Sequence, residues 1–128
     1  MNRRRLLSLI FAVPAAVASA PSQAAPSRRV LLQQSPLAGF QYHAGERLWA
    51  LMQPGDPLQL VREPTNPYDP RAVAVHFQGQ RIGYLPRAEN TAVAQMLDRG
   101  ERLAAHIQAL ALDADPWKRV RVSVELLA

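Results

Sequence analysis

The middle of the chain is interrupted by three prolines within seven residues. Pro64, Pro67 and Pro70 lie in the segment 63–70, which reads Glu-Pro-Thr-Asn-Pro-Tyr-Asp-Pro. A proline fixes its own φ at about −65°, lacks an amide donor and disfavours helical backbone in the residue before it. Neither a helix nor an interior strand can therefore pass through this segment. The sequence predicts a rigid loop here, with regular structure on both sides.

Runs of alternating apolar residues on both sides of this loop indicate antiparallel strands. The clearest run places Val73, Val75 and Phe77 on one face, and a turn at Gln78-Gly79 joins it to a second strand over 81–85. By the same pattern we predict further strands over 30–32, 37–43, 58–62, 103–112 and 119–127. The first two of these are expected to form one bent strand with an interruption between them, and the last two a hairpin.

Two segments carry apolar residues at helical spacing. Residues 45–52 form the first, which ends at a turn over 54–57. Residues 89–99 form the second, with Gly100 in the position of a left-handed helix cap. Hairpin-connected strands in a domain this small protect their edges most simply by closing on themselves. The expected architecture is α+β, mainly β: a small six-stranded barrel with two helices.

The first 24 residues have the pattern of a secretory signal peptide. Basic residues at the start precede a short apolar run and then small residues, which offer a cleavage site after Ala24. The apolar run is too short to cross a hydrocarbon core of roughly 30 Å. We expect 1–24 to be removed, 25–29 to be a flexible leader and 30–128 to form the domain. The mature protein is then periplasmic or extracellular without a stable membrane anchor, and both the general secretory and the twin-arginine routes fit.

Removal of this segment changes the charge of the protein. Three of the 15 basic residues are lost, which leaves 12 against 10 acidic residues and lowers the formal net charge from +5 to +2. Strong electrostatic attraction to phosphate backbones is therefore absent. Non-specific, salt-driven binding to nucleic acid is expected to be weak.

The sequence offers no catalytic or metal-binding motif. It has no Cys, which excludes a thiolate zinc site and a cysteine nucleophile. His43, His76 and His106 lie on separate predicted strands or strand ends, without the paired spacing of metal ligands. Phosphate-binding glycine loops and nucleophile elbows are missing as well. We expect a protein that is not an enzyme and that needs neither metal nor cofactor.

The proline loop and its flanks carry a longer pattern. The segment 60–75 reads Leu-Val-Arg-Glu-Pro-Thr-Asn-Pro-Tyr-Asp-Pro-Arg-Ala-Val-Ala-Val, and Ile-Gly-Tyr-Leu-Pro-Arg follows at 82–87. With Ala-Gly-Phe-Gln-Tyr-His at 38–43 and Leu-Asp-Arg-Gly at 97–100, this pattern resembles the HIRAN domain family over nearly all of 30–128. The resemblance implies a small β-barrel of the oligonucleotide-binding type with accompanying helices. It also implies a non-catalytic module that binds single-stranded DNA ending in a free 3′-hydroxyl.

The resemblance assigns roles to five residues of this chain. Tyr42 matches an aromatic position that stacks on a terminal base. Asn66, Tyr68 and Asp69 match the binding loop, in which the carboxylate of Asp69 accepts the hydrogen of the terminal hydroxyl. Asp69 is also expected to repel a terminal phosphate, so that the hydrogen bond from the hydroxyl and the repulsion of the phosphate both favour a free end. Arg87 matches a basic position near a phosphate.

Two positions depart from the DNA-binding relative. Gln41 stands where that relative has a base-contacting arginine, and Tyr84 stands where it has a histidine, so neither contact carries over unchanged. Structural roles are open elsewhere: Asp69 as a cap for loop amides, Tyr68 as a half-buried anchor and Tyr84 as barrel packing. Two functions therefore stay open. One is a nucleic-acid end reader, and the other is an exported binding or structural module of the cell envelope that takes a protein or another ligand.

Overall fold

Six strands and two helices form the framework of residues 28–128, the part of the chain that this computed structural model describes. The strands are β1 (Arg29–Pro36), β2 (Pro57–Glu63), β3 (Ala72–Phe77), β4 (Gln80–Tyr84), β5 (Leu103–Leu110) and β6 (Val120–Leu127), and the helices are α1 (Gly45–Leu48) and α2 (Thr91–Asp98). The predicted mainly β fold with six strands and two helices is confirmed. The predicted signal peptide and residues 25–27 of the predicted leader lie outside the described residues, whereas Arg29, the last residue of that leader, begins β1. Within them, no helix has the length and apolar character needed to span a membrane.

All six strands pair antiparallel in one sheet with the order β1-β6-β5-β2-β3-β4. The first strand lies beside the last, and Arg28 and Ala128 exchange backbone hydrogen bonds of 3.2 and 2.9 Å. β2 joins the two halves of the sheet, because its first two residues pair with β5 and the remaining five pair with β3. This change of partner lets the sheet curl.

The two edges of the curled sheet meet just after β1. The N–H of Ala38 donates to the carbonyl oxygen of Tyr84 over 2.8 Å, and the N–H of Tyr84 donates to the carbonyl oxygen of Ala38 over 2.9 Å. This bridge closes the sheet into a barrel. It requires a glycine at position 83, where a Cβ atom would lie 2.5 Å from the Ala38 oxygen and 2.8 Å from Cγ of Leu37.

The barrel encloses an apolar core. Phe40, Phe77, Ile82 and Ile107 are among its largest fully buried side chains, and α2 contributes Val93. Each such side chain favours folding by about 1.5–3 kcal/mol through its removal from water. The core thus accounts for a stable domain without disulfides.

The helix α2 packs against β2 and β3. Its last residue, Asp98, accepts two parallel hydrogen bonds of 3.0 and 3.1 Å from the guanidinium of Arg62 on β2. After the helix, Gly100 adopts φ +80°, and its N–H donates to the carbonyl oxygen of Leu97 over 3.0 Å. The predicted glycine cap is therefore present.

The prediction of an extended segment over 37–43 is wrong. β1 ends at Pro36, Gly39 adopts φ +75°, and a short 3-10 turn follows over Phe40–Tyr42. The turn places Phe40 in the core and leaves Tyr42 exposed. The left-handed backbone at the glycine is the physical reason, since it reverses the chain direction where strand pairing would otherwise continue.

Three smaller differences have local causes. β1 continues to Pro36 although we expect an interruption there, because a proline is tolerated on an edge strand; its irregularity is a shift of register with β6 between Leu31 and Gln33. The first predicted helix is split into α1 and a 3-10 turn over Trp49–Leu51. Ala72 and Ala74, on the other face of β3, are buried as well as Val73, Val75 and Phe77, because their side chains are short and α2 packs against this strand.

We expect Gly83→Ala to destabilise the protein by about 1–3 kcal/mol, because the added methyl group overlaps the backbone at the barrel closure. The free energy of unfolding from urea denaturation measures this effect. Gly79→Asn is the matched control: Gly79 has φ +79° and open space around it, a conformation that asparagine tolerates, so the cost is expected to stay below about 1 kcal/mol. Equal stability of Gly83→Ala and wild type would contradict the closure argument.

Candidate nucleic-acid interface

A groove of about 880 Å³ opens between the turn after β1, the proline loop and β4. It is lined by six of the seven residues predicted to contact a ligand: Tyr42, Asn66, Tyr68, Asp69, Tyr84 and Arg87. The seventh, Gln41, is exposed next to Tyr42 and is not among the lining residues. The groove also contains His43, Arg62, Glu63 and Arg81, which were not predicted as site residues. Residues distant in sequence thus share one concave surface.

The proline loop is held in shape by the side chain of Asn66. Its Oδ1 accepts hydrogen bonds from the N–H groups of Tyr68 (2.8 Å) and Asp69 (3.2 Å). Its Nδ2 donates to Oε1 of Glu63 over 3.1 Å. This Asx turn satisfies loop amides that the prolines leave without a strand partner. Asn66 therefore builds the loop that carries the neighbouring side chains.

Glu63, at the end of β2, connects the loop to β4. Its carboxylate accepts from the hydroxyl of Tyr84 over 2.7 Å and from Nη1 of Arg81 over 3.1 Å, in addition to Asn66. Burial acts to raise the pKa of Glu63, but the three hydrogen bonds and the charge of Arg81 outweigh burial and lower the pKa. Burial and the Glu63 contact raise the pKa of Tyr84. The Tyr84 hydroxyl is therefore engaged with Glu63.

Asp69 is 8% exposed, and it lies in the wall of the groove. Its Oδ1 accepts from the N–H of Arg71 over 2.9 Å, and its Oδ2 accepts from Nδ2 of Asn90 over 2.7 Å. Burial acts to raise the pKa of Asp69, but these hydrogen bonds and the charges of Arg87 and Arg71 lower it. Each carboxylate oxygen can accept two hydrogen bonds. Asp69 thus caps a loop amide, as the structural alternative expects, and keeps acceptor capacity for a ligand.

Two tyrosine rings of the groove are exposed. Tyr42 is 77% exposed on the turn after β1, and Tyr68 is 82% exposed on the proline loop. Tyr68 is therefore not the half-buried anchor considered as an alternative. Exposed aromatic rings beside a groove are suited to contact a flat ligand. Because folding leaves these rings in water, a ligand that covers them gains the free energy of burying their apolar surface.

The groove carries three arginines, of which two have carboxylate partners. Arg62 is paired with Asp98 and Arg81 with Glu63, whereas Arg87 takes part in none of the ion pairs found among residues 28–128.

The imidazole of His43 packs edge-on against the ring of Tyr84, with 5.5 Å between the centroids. Burial and the charge of Arg81 lower the pKa of His43 despite an opposing effect of Glu63, which favours the neutral imidazole.

A sequence model of the HIRAN domain matches residues 30–126. The chain belongs to the HIRAN domain family. The resemblance found in the proline loop is therefore confirmed. No curated protein matches the chain in sequence.

Two solved structures share the fold of this HIRAN domain. A protein from Lactobacillus plantarum is 24% identical with a TM-score of 0.69, and the match covers 80% of this chain and 98% of that chain. The HIRAN domain of human HLTF is 20% identical with a TM-score of 0.62, and the match covers 78% of this chain and 79% of that chain. The barrel is thus retained at low sequence identity.

Sequence reasoning missed two residues that organise the HIRAN groove. Glu63 lies in the matching stretch, and its place directly before the prolines was a usable signal, because a strand end at a loop often supplies a partner for loop donors. Asn90 had no such signal. It precedes an apolar helix and therefore has the pattern of an ordinary helix cap. Among residues 28–128, no group of three or more His, Cys, Asp or Glu could hold a metal ion.

Acid is expected to lower the free energy of unfolding of the HIRAN domain through protonation of Glu63. The pKa of the Glu63 carboxyl is lower in the folded than in the unfolded protein, so the ionised carboxylate stabilises the fold. This stabilisation is complete above the ordinary pKa of 4.5 and is lost as the pH falls through the folded-state pKa. We expect Glu63→Gln to be about 1–3 kcal/mol less stable than wild type at neutral pH, and to lose less stability than wild type on acidification to about pH 3. Urea denaturation across this pH range measures both effects.

The control for this experiment is Glu46→Gln. Glu46 forms an exposed ion pair with Arg119 outside the groove, so its replacement should leave the acid sensitivity nearly unchanged. A Glu63→Gln variant that loses as much stability in acid as wild type would show that Glu63 is not a source of the acid sensitivity.

Proposed function

We propose that this domain binds the ends of single-stranded nucleic acid and distinguishes a free 3′-hydroxyl from a 3′-phosphate, without catalysing a reaction. The observation that carries the proposal is the position of the Asp69 carboxylate in the wall of a groove whose exposed rings are Tyr42 and Tyr68. HIRAN domains in general bind single-stranded DNA, and in homologues the domain is a binding module. Both facts support this assignment.

Tyr42 and Tyr68 supply the surface for bases. Stacking of a base on an aromatic side chain favours binding by about 1–3 kcal/mol and depends little on which base is present. The two rings belong to separate segments, the turn after β1 and the proline loop. A terminal base and its neighbour can therefore each find a ring, and the ligand is defined by its end rather than by its sequence.

Asp69 supplies the discrimination between ends. A terminal hydroxyl donates a charge-assisted hydrogen bond to the carboxylate, whereas a terminal phosphate brings a second negative charge to the same place. Because Asp69 is largely removed from water, both the attraction and the repulsion are screened less than at an exposed site.

The charge of the groove suits a short contact with the nucleic-acid backbone. Arg62 and Arg81 are engaged with Asp98 and Glu63, which leaves Arg87 as the groove arginine without an ion pair among residues 28–128. One such arginine fits one phosphate. Affinity in this proposal comes from stacking and the terminal hydroxyl, with a small electrostatic part.

We further propose that the protein acts outside the cytoplasm after removal of residues 1–24. Single-stranded ends reach this location as extracellular or incoming DNA. The mass of the protein purified from a periplasmic fraction tests this part of the proposal. A chain that begins at Ala25 would support export, and a full-length chain in the cytoplasm would contradict it.

A second candidate is an exported module that binds a protein or another ligand in the same groove. Two of the three groove arginines have carboxylate partners, so little positive charge remains to bind phosphate, which favours this candidate. The hydrogen bond from the Tyr84 hydroxyl to Glu63 also favours it, because that hydroxyl is already engaged within the protein. Capture of one protein from an envelope fraction, together with no oligonucleotide binding at low salt, would favour this candidate over the first.

We expect Asp69→Asn to reduce the preference for a 3′-hydroxyl over a 3′-phosphate by about tenfold or more. The substitution removes the charge but keeps the shape, and a flip of the Asn90 amide would let its unpaired Oδ1 accept from the new amide group. Fluorescence anisotropy with short labelled single strands carrying either end measures the preference. The control is Asp113→Asn, which alters a similar loop contact to the N–H of Asp115 outside the groove and should leave the preference unchanged. Equal affinity of the wild-type protein for both ends would refute end recognition.

The salt dependence of binding is expected to report one phosphate contact. For a single strand, one neutralised phosphate gives a slope of about −0.7 in a plot of log affinity against log salt concentration. Arg87→Ala should bring this slope close to zero. Arg99→Ala is the matched control, because Arg99 is exposed, is paired with Glu101 and lies outside the groove. A wild-type slope steeper than about −2 would mean that several phosphates are bound and that stacking is not the main source of affinity.

A further inference from the structure

The carboxylate of Asp69 is held by a residue that does not itself line the groove. Asn90 directly precedes α2 and is completely buried. Its Nδ2 donates to Oδ2 of Asp69 over 2.7 Å, while the N–H of Arg71 donates to Oδ1 over 2.9 Å. With one donor on each oxygen, the carboxylate group cannot rotate without breaking a hydrogen bond.

The side chain of Asn90 does not perform the usual task of an asparagine before a helix. Such a residue commonly caps the helix by accepting from an N–H of the first turn, and Asn90 makes no such bond. Its Oδ1 is buried without a hydrogen-bond partner among residues 28–128, which is costly for a folded protein. The amide is thus placed for its contact with Asp69.

The backbone of Asn90 is fixed from two sides. Its carbonyl oxygen accepts from the N–H of Ala94 over 2.9 Å, as the first hydrogen bond of α2. In the turn before it, the carboxylate of Glu89 accepts from the buried hydroxyl of Ser35 on β1 over 2.8 Å. Regular elements on both sides therefore determine where the donor of Asn90 lies.

We propose that Asn90 is a positioning residue for end recognition, which holds the Asp69 carboxylate so that one acceptor site on each oxygen remains for the terminal hydroxyl. This inference rests on the proposed function of the groove. The charged groups that act on Asp69 are Arg71 and Arg87. They attract its charge, whereas the hydrogen bond from Asn90 fixes its orientation.

Asn90→Asp tests the contact through a pH profile. The new carboxyl would lie at hydrogen-bond distance from Asp69. Two carboxylates this close repel each other, so the pair keeps one shared proton to a higher pH than a single carboxyl would. While the proton is present, the new carboxyl donates to Asp69 as the amide does. When the proton is lost, two carboxylates repel each other and the orientation is lost.

The readout is the affinity for a short single strand with a 3′-hydroxyl relative to one with a 3′-deoxy end, which has no charge to titrate. In wild type we expect a preference that stays constant as the pH rises from about 5 to about 9, since Asp69 stays ionised throughout. Protonation of His43, which lines the same groove, acts on both strands alike and cancels in the ratio of their affinities. In Asn90→Asp we expect the preference to approach that of wild type at the acid end and to fall by about tenfold at the alkaline end. A variant profile parallel to that of wild type would overturn the proposal.

A second variant separates positioning from folding. Asn90→Ala removes the donor at every pH, and we expect the preference to fall by about tenfold without a pH trend. Val93→Ala is the matched control, because it removes core packing from the same helix without touching Asp69. It should lower the melting temperature and leave the preference intact. An unchanged preference in Asn90→Ala would overturn the proposal, as would a loss of preference in Val93→Ala of the same size as in Asn90→Ala.

One measurement does not depend on nucleic acid. In a carbon-detected NMR titration, Asn90→Ala should raise the pKa of Asp69, because a hydrogen bond that lowers it is removed. An unchanged titration would overturn the proposed contact. If wild type shows no preference between ends while this pKa does rise, the proposed function of the groove fails but Asn90 still holds the carboxylate.

Discussion

Two backbone hydrogen bonds between Ala38 and Tyr84 close the barrel where the edges of the sheet meet. The same residues form the groove, because Ala38 leads into the turn that carries Tyr42, and the hydroxyl of Tyr84 binds Glu63 beside the proline loop. The residues that close the barrel are therefore also residues of the groove. A ligand that spans the turn and the loop would stabilise the closed barrel, by an amount that rises with the logarithm of the ligand concentration divided by Kd.

The proline loop is held in one conformation by contacts within the chain. Three prolines restrict its backbone, Asn66 accepts from two of its amides, and Glu63 ties it to β4. A surface that is already ordered loses little conformational entropy when it binds, so even a few contacts can give useful affinity. Asp69 shows how tightly structure and recognition are combined here, since the carboxylate that would meet a ligand also caps the loop.

The parts of the fold that follow from local constraints could be predicted from the sequence. Prolines forbid regular structure at 64–70, alternation marks β3 and β6, and Gly100 ends α2. The turn after β1 could not be predicted, because a glycine in a left-handed conformation looks the same in sequence as a glycine in a strand. The six groove residues that were predicted follow from the family resemblance rather than from periodicity. The partner of Asp69 lies 21 residues further along the chain, and only the packing of α2 brings Asn90 to it.

The pairing of the first strand with the last has a consequence for how the chain is made. β1 has β6 as its strand partner, and β6 is the last of the six described strands to be synthesised. Contacts between residues so far apart in sequence form slowly, and β1 has no strand partner until β6 has been made. During that time the chain next to the proposed signal peptide has no completed sheet to hold it. The topology thus postpones completion of the sheet until β6 has been made, which fits the proposed export by the general secretory route, where a chain crosses the membrane unfolded, better than export of a folded protein.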